Sequence, residues 1–141
     1  MKMDAYGTNT TKALAGSPSS RCEAEYGGQV RTDTETYTFA SAAVGFTVQV
    51  GVLKPGEVYV DGYITAADLG SATTLQLGDA GDTDRYLAAT VFTTVDQVTD
   101  CRAFAGVGYK NDTAVEIPIY VTTGVEEASG AIKVVIKKAG R

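Results

Sequence analysis

The sequence predicts an all-β protein: an antiparallel β-sandwich of jelly-roll type with an extended N-terminal arm. Three observations predict it. From Thr34 onward, apolar and polar residues alternate in short stretches, the period-two signature of strands with one buried face. Glycine-rich turns separate these stretches at roughly ten-residue intervals, the spacing of a sandwich. No 3.6-residue apolar period persists beyond about two turns, so no crossover helices are expected and the pairing should be antiparallel.

The 141 residues suffice for one domain with one core. The expected division is an arm over residues 1–30 and a sandwich domain over 31–141. The arm is rich in Thr, Ser, Gly and Asn, and strings such as Gly16-Ser17-Pro18-Ser19-Ser20 are turn or coil chemistry. Such a segment cannot offset its own ordering entropy by apolar burial. It is either loose or ordered by lying across another surface.

The strands read as follows. Tyr37 and Phe39 share one face and the neighbouring threonines the other. Phe46, Val48, Val50 and Val52 form a second inward row. Lys54-Pro55-Gly56 then has type II turn chemistry, because Pro fixes φ at the second position and Gly accepts positive φ at the third. Two strands are expected to meet there as a hairpin. Val58, Val60 and Ile64 share the next inward face, with Tyr59, Asp61, Tyr63 and Thr65 opposite. Thr73, Leu75 and Leu77 follow, then a candidate strand with Val91, Thr93 and Val95. Phe104 to Tyr109, interrupted by Gly106 and Gly108, reads as another. Val115, Ile117, Ile119 and Val121 alternate around Pro118, which should mark a sheet edge or a bulge. Ile132, Val134 and Ile136 close the pattern, with Lys133 and Lys137 outward and the group Lys133, Lys137, Lys138 and Arg141 read as a solvated outer face.

Composition excludes several function classes. Histidine is absent, which removes the commonest general base and metal ligand. No Walker loop, dinucleotide fingerprint, HExxH or GxSxG string occurs, so no enzyme and no cofactor is expected. The net charge of −5 without a basic block argues against nucleic acid. No apolar run is long enough to span a bilayer, and residues 1–6 lack an apolar leader core, so folding in a cytoplasm is expected. Cys22 and Cys101 lack metal spacing and are expected as free thiols.

Four candidate sites remain. Asp79, Asp82 and Asp84 place three carboxylates on one glycine-containing loop and could hold Ca²⁺ through hard oxygen ligands. Their spacing is not that of an EF-hand, and the favoured reading is an Asx-rich turn in which Arg85 pairs one aspartate. Glu126-Glu127 reads as solvated charge. Asn9-Thr10-Thr11 and Asn111-Asp112-Thr113 match the glycosylation triplet, as chance produces in a threonine-rich chain. Tyr59, Tyr63 and Tyr120 are expected on outward faces, where a large apolar ring with a polar tip suits an interface.

The segment from Gly51 through Ala89, with Gly106-Val107-Gly108-Tyr109, resembles a family of small tailed-phage virion proteins. The residues that carry the likeness are Lys54-Pro55-Gly56, Leu77-Gly78-Asp79 and Asp84-Arg85-Tyr86-Leu87-Ala88-Ala89. The likeness covers about two-thirds of the chain and rests on turn motifs, which mark kinship better than activity. Some members of that family resemble capsid cement, or decoration, proteins. The resemblance implies a non-enzymatic homotrimer on the outer surface of the phage head, bound to the major capsid protein. The arm lies outside the likeness; in such a role its residues Tyr6, Thr10, Lys12 and Arg21, with the outward-facing Tyr59, Tyr63 and Tyr120, are the expected contact residues. The alternatives are another virion part (head fibre, tail or baseplate module) or a carbohydrate-binding β-sandwich, in which Tyr59 and Tyr63 would serve as the sugar platform.

Overall fold

The structure, a computed structural model, describes residues 30–140. Eight strands follow in order: β1 Val30–Ala42, β2 Thr47–Leu53, β3 Val58–Ala66, β4 Thr74–Gly78, β5 Leu87–Val91, β6 Gln97–Asp100, β7 Ile117–Gly124 and β8 Ala128–Ala139. They form two four-stranded antiparallel sheets, ordered β1-β8-β3-β6 and β2-β7-β4-β5. The pairs β1:β8, β2:β7, β3:β6 and β4:β5 are nested, as in one long hairpin folded back across itself. Rolling that ribbon into two layers gives a jelly roll.

This winding corrects the hairpin expected at Lys54-Pro55-Gly56. The turn itself forms: Glu57 N donates to Lys54 O at 2.9 Å, and Gly56 has φ 83°. But β2 and β3 lie in different sheets. Leu53 on one side and Tyr59 on the other both point into the interior. A turn whose flanks share the space between two layers bridges those layers.

The core fills that space. Leu75 and Leu77 of β4, Ile119 and Val121 of β7, and Ile132, Val134 and Ile136 of β8 are all buried, as alternation predicts. Fully burying each such side chain contributes about 1.5–3 kcal/mol before entropy is counted. Three strands break parity, β1 among them, where the register shifts between Phe39 and Ala42 and both are buried. The β2:β7 register shifts between Gln49 and Gly51, so Leu53 is buried, not Val52. The β3:β8 register shifts between Tyr59 and Asp61, which leaves Val60 exposed and turns Tyr59 inward. Each bulge inserts one residue and exchanges the two faces beyond it.

Other expectations are corrected. β5 ends at Val91, and Val95 is an exposed residue of the β5–β6 connection. Phe104 to Tyr109 is a series of turns. β7 is an interior strand, yet Pro118 lies beyond its last pair with β4, Gly78↔Tyr120, and has only β2 beside it. Its missing N–H therefore costs no bond to β4.

The sandwich has two poles. The near pole carries Val30, the β2–β3 turn, the loops over 79–86 and 101–116, and the end of β8. The far pole carries the other connections, 43–46, 67–73, 92–96 and 125–127. Backbone bonds tie these together: Gly45 N to Thr123 O and Leu69 N to Phe92 O.

Candidate functional site

The three aspartates do not converge. Asp79 is buried, and its carboxylate accepts from Arg85 Nε at 2.8 Å and Nη2 at 3.2 Å. It also accepts from the backbone N–H of Gly81 and of Asp82, each at 3.0 Å. Asp82 and Asp84 sit at the surface and bond each other, which lowers the pKa of Asp82 and raises that of Asp84. Among the described residues, no group of three or more His, Cys, Asp or Glu side chains could hold a metal ion. The loop is an Asx turn closed by Arg85.

Beside it runs a stack of tyrosines. The Tyr59 and Tyr86 ring centroids are 4.2 Å apart, Tyr86 meets Tyr109 edge-on at 6.4 Å, and the Arg85 guanidinium lies 3.9 Å over the Tyr109 ring. Tyr59 is fully buried and donates its hydroxyl to Cys101 O at 2.7 Å. Burial raises the pKa of both Tyr59 and Tyr86 and pushes the Cys101 thiol up to about 12. Tyr59 is thus a core residue, which corrects its placement on an outward interface and removes the Tyr59–Tyr63 sugar platform. Tyr63 and Tyr120 stay half-buried on outward faces, but of opposite sheets, so they belong to different surfaces. Tyr6, Thr10, Lys12, Arg21 and Cys22 lie outside the described residues.

At the near pole an ion cluster ties four segments together. Glu57 is fully buried, ion-paired with Arg31, and accepts from Lys54 N at 2.6 Å. Lys138 Nζ lies 2.8 Å from Asp33 and 3.6 Å from Glu57, and donates to Val52 O at 2.6 Å. Lys138 is therefore an interior charge, which corrects its place on a solvated face. Its even number, shared with Ile132, Val134 and Ile136, was the signal. Above it a cleft of about 620 Å³ opens between β1 and β2. Two lysines line it, Lys54 and Lys138, and Lys138 is already neutralised by Asp33 and Glu57. Asn111 is also buried, and its amide donates to Leu53 O and Val115 O at 2.8 Å, so this side chain is committed to the fold and not to a glycan.

The far pole differs. Val44, Phe46, Val95 and Val125 are exposed there, as Phe104, Val107 and Val115 are at the near pole, but the far pole's backbone and charges are of another kind. Among the described residues, every non-glycine with positive φ is at this pole: Ser41 at 50°, Asp96 at 59° and Val125 at 70°. A β-branched residue at such φ is strained. Glu126, read from sequence as solvated, holds that turn in place. Its carboxylate accepts from Ala72 N at 2.5 Å and Ser71 Oγ at 3.1 Å, bonds that lower its pKa.

No protein-family model matches the sequence, and no curated protein is similar to it. Solved structures are similar. A chain of the cyanophage Pam1 capsid asymmetric unit superposes with a TM-score of 0.66 at 19% identity, over 82% of this chain and 88% of that one. A chain of the capsid of Ralstonia phage GP4 does so with a TM-score of 0.60 at 19% identity, over 80% of this chain and 85% of that one. The chain shares its fold with these two capsid components. At this identity the likeness is one of fold, and it runs through nearly the whole of each partner in the comparison.

Proposed function

We propose that the chain is a virion protein of a tailed phage: a non-enzymatic cement protein that binds the outside of the head, bridges major capsid protein subunits and stabilises the shell. The observation that carries this reading is the near end-to-end likeness of fold to chains in two phage capsid assemblies. The side chains agree with it. The buried polar groups at the near pole are partnered within the domain, as a rigid clamp requires, and the role needs no reacting group.

A protein that binds the assembled shell and not free subunits stabilises the shell by its preference for the assembled state. Trimerisation multiplies modest contacts through effective concentration. β1 is a 13-residue strand at a sheet edge, and residues 1–30 precede or begin it. An arm at that position is suited to strand addition on a neighbour, with Tyr6, Thr10, Lys12 and Arg21 among its contacts. Sedimentation of the purified chain with expanded shells tests the reading. Saturable binding in threefold multiples, with a raised shell melting temperature, is expected. A monomer that stays in the supernatant would refute it.

A further inference from the structure

Both poles expose apolar side chains, Phe104, Val107 and Val115 at the near pole among them, but only the far pole's loops pair them with acidic residues and no basic one. Its four connections present Val44, Phe46, Val95 and Val125 to solvent. Around them stand four acidic residues, Asp68, Asp96, Glu126 and Glu127, and these loops contain no Lys or Arg. Of the basic side chains, Arg31, Lys54, Arg85, Arg102, Lys110 and Lys138 belong to the near pole, Lys137 lies along β8, and Lys133, exposed on β8, lines a cleft with Asp96 beside the far pole. Exposed apolar side chains inside a polar rim are the anatomy of a protein contact.

We propose that the far pole is a protein-docking surface whose partner presents an apolar patch rimmed by Lys and Arg. This rests on the capsid reading, under which that partner is the shell. Charge decides the occupant. A second copy placed pole to pole would set these four carboxylates against their own kind, with Lys133 beside Asp96 offsetting part of that charge on each side. A second copy's near pole would meet them with Lys54 and Lys110 alone, because Arg31, Arg85, Arg102 and Lys138 already pair with Glu57, Asp79, Asp61 and Asp33. A basic-rimmed foreign surface meets neither obstacle. The pole is also held in shape before contact, because Glu126 fastens the β7–β8 turn to Ser71 and Ala72. That limits the ordering cost on binding.

The test measures binding of the full chain to purified shells that lack it. The Val95→Glu/Val125→Glu variant alters only exposed side chains and should melt like the parent. It is expected to bind at least ~10-fold more weakly. Glu127→Lys should weaken binding several-fold, and salt raised from about 0.05 to 0.5 M should weaken the parent likewise. Phe104→Ser is the control: it removes a fully exposed aromatic at the near pole and should leave affinity unchanged. If the parent binds and the far-pole variants bind equally well, the docking surface is wrong while the capsid reading stands. The docking surface is equally wrong if Phe104→Ser alone abolishes binding. If the parent does not bind, the capsid reading fails and the inference with it.

Discussion

The two poles of the sandwich solve opposite problems. At the near pole, charges enter the interior and each is met: Glu57 by Arg31 and Lys138, Asp79 by Arg85 and two backbone N–H groups. At the far pole the backbone adopts positive φ at Ser41, Asp96 and Val125, among apolar side chains that stay in water as Phe104 and Val115 do at the near pole. The first arrangement commits polar groups to holding the fold. The second leaves stability unused, and a pole that is both apolar and strained in the free protein is where a contact has most to gain. The difference teaches that rigidity and adhesion are assigned to opposite ends of one small domain.

Substitutions can break this contrast. The largest effect is expected at Glu57. Glu57→Ala leaves the buried Lys138 ammonium with Asp33 as its ion-pair partner and should cost about 3–5 kcal/mol in urea unfolding. A loss under about 1 kcal/mol would mean that the near-pole cluster does not hold the fold. Asp79→Ala strips the Arg85 pair and the turn together. It should cost about 2–3 kcal/mol by the same measurement, whether or not calcium is present. Val125→Gly should act in the other direction. Relief of strained φ is worth about 1–3 kcal/mol, and the added chain entropy of glycine returns about 0.5–1. A net gain near 1 kcal/mol in thermal melts is expected, and a loss would show that the far pole stores no strain.

The smallest effect is in acid. Glu126 has a lowered pKa because it accepts from Ala72 N and Ser71 Oγ. Its contribution is fully present above pH 4.5, the ordinary glutamate value, and is lost as pH falls through the lower folded value. The melting temperature of the parent should therefore fall on acidification below pH 4.5 by more than that of Glu126→Gln. Equal slopes would detach Glu126 from the turn.

Much of the fold is legible in the residues, for reasons that are local. Leu75, Leu77, Ile119, Val121 and the even-numbered row from Ile132 to Ile136 obey strict alternation, since a strand with one buried face has period two. Lys54-Pro55-Gly56 forms the turn its chemistry dictates. What fails is set by longer-range packing. Neither the turn nor the flanking alternation says which sheet the next strand joins, so an arch between layers reads as a hairpin. The bulges after Gln49 and Tyr59 are single-residue insertions without a distinctive residue type, and one of them buries a tyrosine assigned to the surface. The turns over 104–109 imitate a strand because Phe104, Gly106 and Gly108 alternate with Ala105 and Val107. The near-pole cluster is half legible: Lys138 lies in the inward row of β8, but Glu57, Arg31 and Asp33 meet it only once β1, β3 and β8 are side by side.

A cryo-EM reconstruction of the phage particle that carries this chain tests the central claim most directly. The account predicts density for an eight-stranded jelly roll on the outer face of the head, seated across the junction of neighbouring capsid subunits. Density for the chain at the tail, or its absence from intact heads, would contradict it.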